Sequence, residues 1–179
     1  ITEGAMPRLA RLGREGVRAD GMRPSYPSLT FPNHYTLVTG LRPDHHGIIH
    51  NSMWDQALGQ FRISQRAAVG DGRWWGGQPA WISARKAGLR TATLFWPGSE
   101  AEIDGLRPQR WTRYDEAMPA SARVDIVAGW LLEPASTRPD FATVYFDRVD
   151  KASHEHGPGS PEADAARRET DAALGRLVD

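Results

Sequence analysis

The sequence contains no cysteine. Disulfides, thiolate metal centres and cysteine nucleophiles are thereby excluded within these residues, and any metal must be held by nitrogen and oxygen. Lysine is almost as scarce, with only Lys86 and Lys151, so arginine carries nearly all the positive charge. That bias reads as the codon usage of a GC-rich bacterial genome. Net charge is missing as well: 22 Lys plus Arg balance 22 Asp plus Glu, leaving no long-range field to draw in a nucleic acid polymer or an anionic lipid surface. No membrane span is visible, and there is no internal repeat, low-complexity tract or domain linker.

What is present is ordinary globular material. A chain of 179 residues, 40% apolar and 25% charged, is long enough for a substantial core. Its pattern predicts a helix over 5–15, a short strand near Val17 to Met22 and a helix over 32–39. A long irregular stretch from Leu41 to Gly77 follows, then a helix from Pro79 to Ala87 stopped by Gly88, and a strand from Thr91 to Trp96. A helix from Ala120 to Leu132, an apolar strand from Phe141 to Phe146 and a last helix from Pro161 to Val178 complete the reading. Strands alternating with helices imply an α/β fold, a mostly parallel sheet covered by helices on both faces.

Two segments carry chemistry. The first is Pro27-Ser28-Leu29-Thr30-Phe31-Pro32-Asn33-His34-Tyr35-Thr36-Leu37-Val38-Thr39-Gly40. Pro32 suits an early helical position and Thr30 suits the cap or its neighbour. A helix start offers unpaired backbone donors and partial positive charge, which stabilise an alkoxide or a phosphate oxygen there. Spacing alone leaves two readings of Thr30, a plain helix cap and a nucleophile. The second segment runs from Tyr145 through Asp147, Asp150 and His154 to Gly157-Pro158. On a helical turn, Asp150 and His154 share a face, within reach of one zinc ion. A surface Asp/His pair is the other reading.

Together these segments resemble the nucleotide pyrophosphatase/phosphodiesterase family of the alkaline phosphatase superfamily. The resemblance rests on Thr30-Phe31-Pro32-Asn33-His34, on His46-Gly47-Ile48 and on Asp150 and His154 ahead of Gly157-Pro158. Phe95-Trp96-Pro97-Gly98-Ser99-Glu100 and Arg107-Pro108 extend it over nearly the whole chain, and a bacterial member is the nearest match it suggests. It implies that residues 1–179 are part of one alkaline phosphatase-like catalytic domain, cut at both ends, whose partners include the remainder of the same polypeptide.

The resemblance also implies roles. Thr30 is the nucleophile and ligates one of two zinc ions, Asp150 and His154 ligate the other, and the remaining ligands lie outside this chain. Asn51 matches the asparagine that donates to a phosphoryl oxygen; on its own it reads equally as a turn residue. The implied chemistry is two-metal phosphoryl transfer through a phosphothreonine, at ions about 4 Å apart. Phe31, Tyr145 and Tyr114 match positions lining the leaving-side pocket, where Phe31 and Tyr145 sandwich a base, although both also read as core aromatics. The implied substrate is a small nucleotide cleaved to a nucleoside 5′-monophosphate. Choline or lipid-headgroup phosphodiesters, or binding of nucleotide without turnover, are the alternatives.

A sulfatase needs Cys or Ser followed by x-Pro-x-Arg, and this chain has Thr30 with His34 at the arginine position. Export to the periplasm or the medium is expected from the family. His45, His46, His50 and His156 have no assigned ligand role, although His46-Gly47 reads as structural support. Asp147 stands where many relatives carry Glu and has no assigned role. Trp74-Trp75 reads as an anchor of the irregular stretch, and Arg167-Arg168 as a solvated helix face.

Overall fold

The computed structural model describes residues 4–178. In chain order the elements are α1 (Pro7–Glu15), α2 (Thr30–Thr39), α3 (Pro43–His46), β1 (Ser52–Asp55), β2 (Gly59–Arg62), α4 (Arg66–Val69), a short 3-10 turn (Gly72–Trp74), α5 (Ala80–Lys86), β3 (Thr91–Leu94), β4 (Arg110–Thr112), α6 (Ala120–Leu131), β5 (Phe141–Val144), α7 (Arg148–His156) and α8 (Pro161–Val178). The fold is α/β, with a parallel sheet and helices. The residues divide into two compact units: one spans Arg23–Tyr114 and Ala135–Thr143, and the other holds the N-terminal residues to Met22, Asp115–Pro134 and the chain from Val144 onward.

The first unit is built on the sheet of order β4-β3-β5. β3 is buried along its whole length, as a central strand of β-branched and apolar residues should be. β4 pairs with it in parallel, Ala92 opposite Arg110 and Leu94 opposite Thr112. Gln109 fixes the start of this pairing, its Oε1 accepting from both the amide and the hydroxyl of Thr91. On the other side the carbonyl of Arg90 accepts from the amides of Asp140 and Phe141, which sets where β5 begins. A core of Tyr35, Ile48, Phe61, Trp74, Trp75, Trp81 and Ile82 occupies the rest of the unit. Gly98, at φ 91°, lies so close to this core that a Cβ there would meet the Trp75 ring at 2.9 Å and the Tyr35 ring at 3.1 Å.

The second unit is helical. Ala120 and Val124 of α6 meet Ala173 of α8, with Phe146 and Leu177 packed against them. α1 has no cap of its own. Its first amides are instead taken by the buried carboxylate of Asp171 on α8, which accepts from Leu9 at 2.9 Å and Arg8 at 3.2 Å and is only 1% exposed. The orphan donors of one helix end are thus met by a neighbouring helix.

Several expectations need correcting. No strand forms at Val17 to Met22; Val17 and Met22 are exposed. An isolated extended run with no partner strand among the described residues has no ladder to hold it. Thr30 therefore follows a loop and not a strand. It is the first helical residue, with Leu29 as cap and Pro32 third, because the carbonyl of Leu29 already accepts from the amide of Asn33. A proline among the first three helical residues displaces no intrahelical bond.

The stretch from Leu41 to Gly77 is ordered: it holds α3, the antiparallel β1–β2 hairpin, α4 and the 3-10 turn. Elements this short carry too few residues to show a period in sequence. β3 and β5 each stop two residues early, at Leu94 and Val144, and Phe95 takes a positive φ of 65° where β3 ends. The helices at 5–15, 79–87, 120–132 and 161–178 form within two residues of the expected ends.

Candidate active site

Thr30 stands on a heavily braced corner. The side chain of Asn33, one turn in, holds the preceding loop at three points. Its Oδ1 accepts from the amide of Ser25 at 2.8 Å, and its Nδ2 donates to the carbonyls of Pro27 and Leu29, each at 2.9 Å. His34 Nδ1 donates to the Thr30 carbonyl at 2.7 Å, and its ring meets Trp96 edge-on. The indole of Trp96 donates in turn to the carbonyl of His34. The half-buried hydroxyl of Thr30 has no hydrogen-bond partner among the described residues. It is left available for a ligand.

Asn51 is brought to the same corner. Its Oδ1 accepts from the amide of Phe31 at 3.0 Å, which leaves Nδ2 with no acceptor among the described residues. One amide group thus satisfies an orphan donor of the helix start and keeps two N–H bonds unused. The Phe31 ring, half-buried, lies 6.1 Å from the Phe61 ring and 5.8 Å from the Trp75 ring. Tyr114 meets Phe95 edge-on at 5.4 Å, and its amide donates to Glu100.

The histidines of this unit separate clearly. His46 is completely buried. The amide of Ile48 donates to its Nδ1, so the proton sits on Nε2, which donates to the Thr36 hydroxyl at 3.0 Å. Burial holds its pKa below the usual imidazole range. It ties α3 to α2, the structural support expected of it. His50 accepts locally from the amide of Ser52, and His45 pairs with Asp44 at the surface. Trp74 and Trp75 are core residues, as expected.

The Asp/His pair lies in the other unit, on α7. Asp150 Oδ1 and His154 Nε2 are 3.6 Å apart on one face of the helix, and both side chains are largely exposed. An exposed carboxylate and imidazole at this separation fit a single zinc ion, which takes mixed oxygen and nitrogen donors. Among the described residues no group of three or more His, Asp or Glu converges on a metal-sized point. Tyr145 precedes the pair at the end of β5. Burial, then the charges of Asp147 and Asp150, push its phenol up to about 12, so it stays protonated at neutral pH.

Two residues that sequence reasoning left without a role brace this half. Arg123, wholly buried on α6, places Nη1 2.7 Å from Asp147 Oδ1 and 2.8 Å from the carbonyl of Tyr145. Asp147 caps α7 by position, and its carbonyl accepts from the amide of Lys151. The signal was available: Arg123 sits among Ala120, Val124 and Val127, and an arginine on an apolar helix face requires a buried partner. Asn33 was likewise visible, inside the signature segment and beside a loop rich in carbonyls that no ladder satisfies. Arg167 is tied to Asp164 and to the carbonyl of Pro158, so it fastens the loop after α7 and is more than a solvated charge.

Comparison with known proteins gives the same assignment along the whole chain. The model of the family described as type I phosphodiesterase / nucleotide pyrophosphatase matches residues 1–179. A venom phosphodiesterase of Crotalus durissus collilineatus is 43% identical over 178 residues, covering 99% of this chain and 21% of the relative. Human ectonucleotide pyrophosphatase/phosphodiesterase family member 1 is 38% identical over 177 residues, covering 98% of this chain and 19% of the relative. Among solved structures, murine ectonucleotide pyrophosphatase / phosphodiesterase 5 superposes with a TM-score of 0.88 at 29% identity, over 96% of this chain and 46% of that one. An inactive threonine-to-alanine variant of that murine protein, in complex with AMP, gives the same TM-score at 28% identity, over 97% of this chain and 46% of that one.

The chain thus spans about a fifth of the length of these curated relatives. They are eukaryotic and lend no support to a bacterial source. With a whole-chain family match, relatives near 40% identity and a superposing fold, this chain belongs to the type I phosphodiesterase / nucleotide pyrophosphatase family.

Proposed function

We propose that this protein is a zinc-dependent hydrolase that cleaves nucleotide phosphodiester or phosphoanhydride bonds and releases nucleoside 5′-monophosphates, with Thr30 as its nucleophile. The observation that carries the reading is the unpartnered Thr30 hydroxyl at the start of α2, where Asn51 holds the next amide and keeps its Nδ2 unused. The helix start favours negative charge on the attacking oxygen and on the phosphoryl group. Thr30 attacks phosphorus, the bond to the leaving group breaks, and a phosphothreonine ester that still carries the nucleoside remains. Asn51 donates to an equatorial oxygen, where charge gathers in the transition state. Water then cleaves the phosphothreonine. That a threonine-to-alanine variant of the murine relative is called inactive supports the role of Thr30.

Thr30 would serve as ligand to one zinc ion, and Asp150 with His154 to a second. When bound, zinc supplies the Lewis acidity that lowers the pKa of a hydroxyl it coordinates. The AMP complex of the murine relative supports a nucleotide as substrate. Phe31, Tyr145 and Tyr114 are the aromatic residues we assign to base recognition; stacking contributes about 1–3 kcal/mol per base. The names of the relatives, venom and ecto-enzymes, support export and an extracellular place of action.

The test is hydrolysis of bis-p-nitrophenyl phosphate against p-nitrophenyl phosphate by the full-length protein, with and without zinc, alongside Thr30→Ala. Zinc-dependent preference for the diester, lost in the variant, is the expected result. Preference for the monoester, or near-normal turnover by Thr30→Ala, would overturn it. Retained choline phosphodiester turnover with none of nucleotide diesters would move the substrate to lipid headgroups.

A further inference from the structure

α7 presents Asp150 and His154 yet buries none of its own residues. It packs along α8, with Val149, Ala152 and Ser153 partly buried, and that contact sets much of its direction. Its N-terminal end is held separately, by a buried charge pair. Arg123 is fully buried and Asp147 nearly so, at 0% and 8% exposure. Their 2.7 Å ion pair is reinforced by the bond from Arg123 to the carbonyl of Tyr145 and by another from its Nε to the carbonyl of Met118, at 3.0 Å. The guanidinium therefore grips the turn between β5 and α7 on both sides of Phe146. Asp150 follows Asp147 by three residues and His154 by seven, so a rotation or shift of this turn carries both donors with it.

Chemistry sharpens the point. Asp147 and Asp150 are two carboxylates one turn apart, and a divalent cation near α7 attracts both. Arg123 occupies Asp147 and leaves Asp150 exposed with His154. We infer that Arg123 is a positioning residue that selects Asp150 over Asp147 as the carboxylate available to a cation and fixes the approach of Asp150 and His154 to it. The inference rests on the reading of Asp150 and His154 as zinc ligands. Groups that fix ligands from behind typically matter by about 10- to 100-fold in metal affinity.

The experiment is zinc titration of the full-length apoprotein in competition with a chromophoric chelator, with cobalt(II) absorption as a second readout. Arg123→Gln should weaken one zinc equivalent by at least about tenfold and alter the cobalt spectrum, whereas Arg123→Lys should restore affinity to within about threefold. If Arg123→Gln does not fold, Asp147→Asn serves: it frees the turn while keeping its shape and should weaken the same equivalent. Unchanged zinc affinity and cobalt spectrum in a folded Arg123→Gln or Asp147→Asn variant would overturn the inference. His154→Ala is measured beside them. If it weakens zinc while the Arg123 and Asp147 variants do not, this inference alone fails; if it leaves zinc untouched, the assignment of the zinc ligands itself fails.

Discussion

The two units hold their functional residues in opposite ways. At the Thr30 corner the backbone is pinned within a few residues of the Thr30 hydroxyl, by Asn33, His34 and Asn51, over a core of interlocked aromatic rings. On α7 the donors Asp150 and His154 reach into solvent, and the bracing lies a turn upstream in a buried ion pair. A nucleophile must meet phosphorus along one line, so its position has to exist before the substrate arrives. Exposed donors proposed to hold a metal ion can settle around it on binding, provided the fold aims them from behind.

The difference can be broken most forcefully at Thr30. Removing a catalytic nucleophile costs on the order of 10⁴- to 10⁶-fold in kcat, and Thr30→Ala should do so while leaving the circular dichroism spectrum and melting temperature unchanged. Asn51→Ala should come next, with about 10²- to 10³-fold lost from kcat, the scale of one missing transition-state donor. Steady-state kinetics on a nucleotide diester would show both; a loss confined to KM would sink the donor role of Asn51.

Smaller effects separate support from chemistry. Asn33→Ala removes three hydrogen bonds, one of them to a backbone donor, and should destabilise the protein by about 1–3 kcal/mol in urea melts while lowering kcat. Gly98→Ala forces a Cβ against Trp75 and Tyr35 at a positive φ and should destabilise by about 1–3 kcal/mol as well. The active-site corner should survive in the folded fraction, so kcat per folded molecule distinguishes Gly98→Ala from Asn33→Ala.

The smallest effect is a pH dependence carried by His46. Its folded-state pKa lies below that of the unfolded chain because burial disfavours the imidazolium. The unfolded state then binds more protons between the two values. The contribution of His46 is fully present above about pH 6.5 and is lost as pH falls through that window. Urea midpoints at pH 7.5 and pH 5 should differ more in the parent protein than in His46→Gln; equal differences would show that His46 does not carry the effect.

How much of this was legible in the sequence depended on whether a signal was local. α8 and α6 were readable because long periodic runs bounded by proline and polar residues leave few alternatives. The placement of Thr30 at a helix start and of Asp150 and His154 on one helix face was readable because each motif is contiguous or helically spaced. What was missed is non-local. The role of Asp147 depends on Arg123, twenty-four residues earlier on another element, and the cap on α1 is Asp171, more than 160 residues away. The strand expected at Val17 to Met22 failed for the same reason. A local run of apolar and polar residues says nothing about whether a partner strand is there to receive it. The hairpin and short helices between Leu41 and Gly77 were hidden by their brevity, and their order comes from Phe61, Trp74 and Trp75 meeting Phe31 and Tyr35 in one core.

The central claim is that Thr30 attacks phosphorus and transiently carries the nucleotidyl group. The most direct test is the stereochemical course of hydrolysis of a nucleotide diester made chiral at phosphorus, run with the full-length protein in isotopically labelled water. Two successive in-line displacements, first by Thr30 and then by water, predict net retention of configuration. Net inversion would mean that water attacks the substrate directly, and it would remove Thr30 from the role assigned to it here.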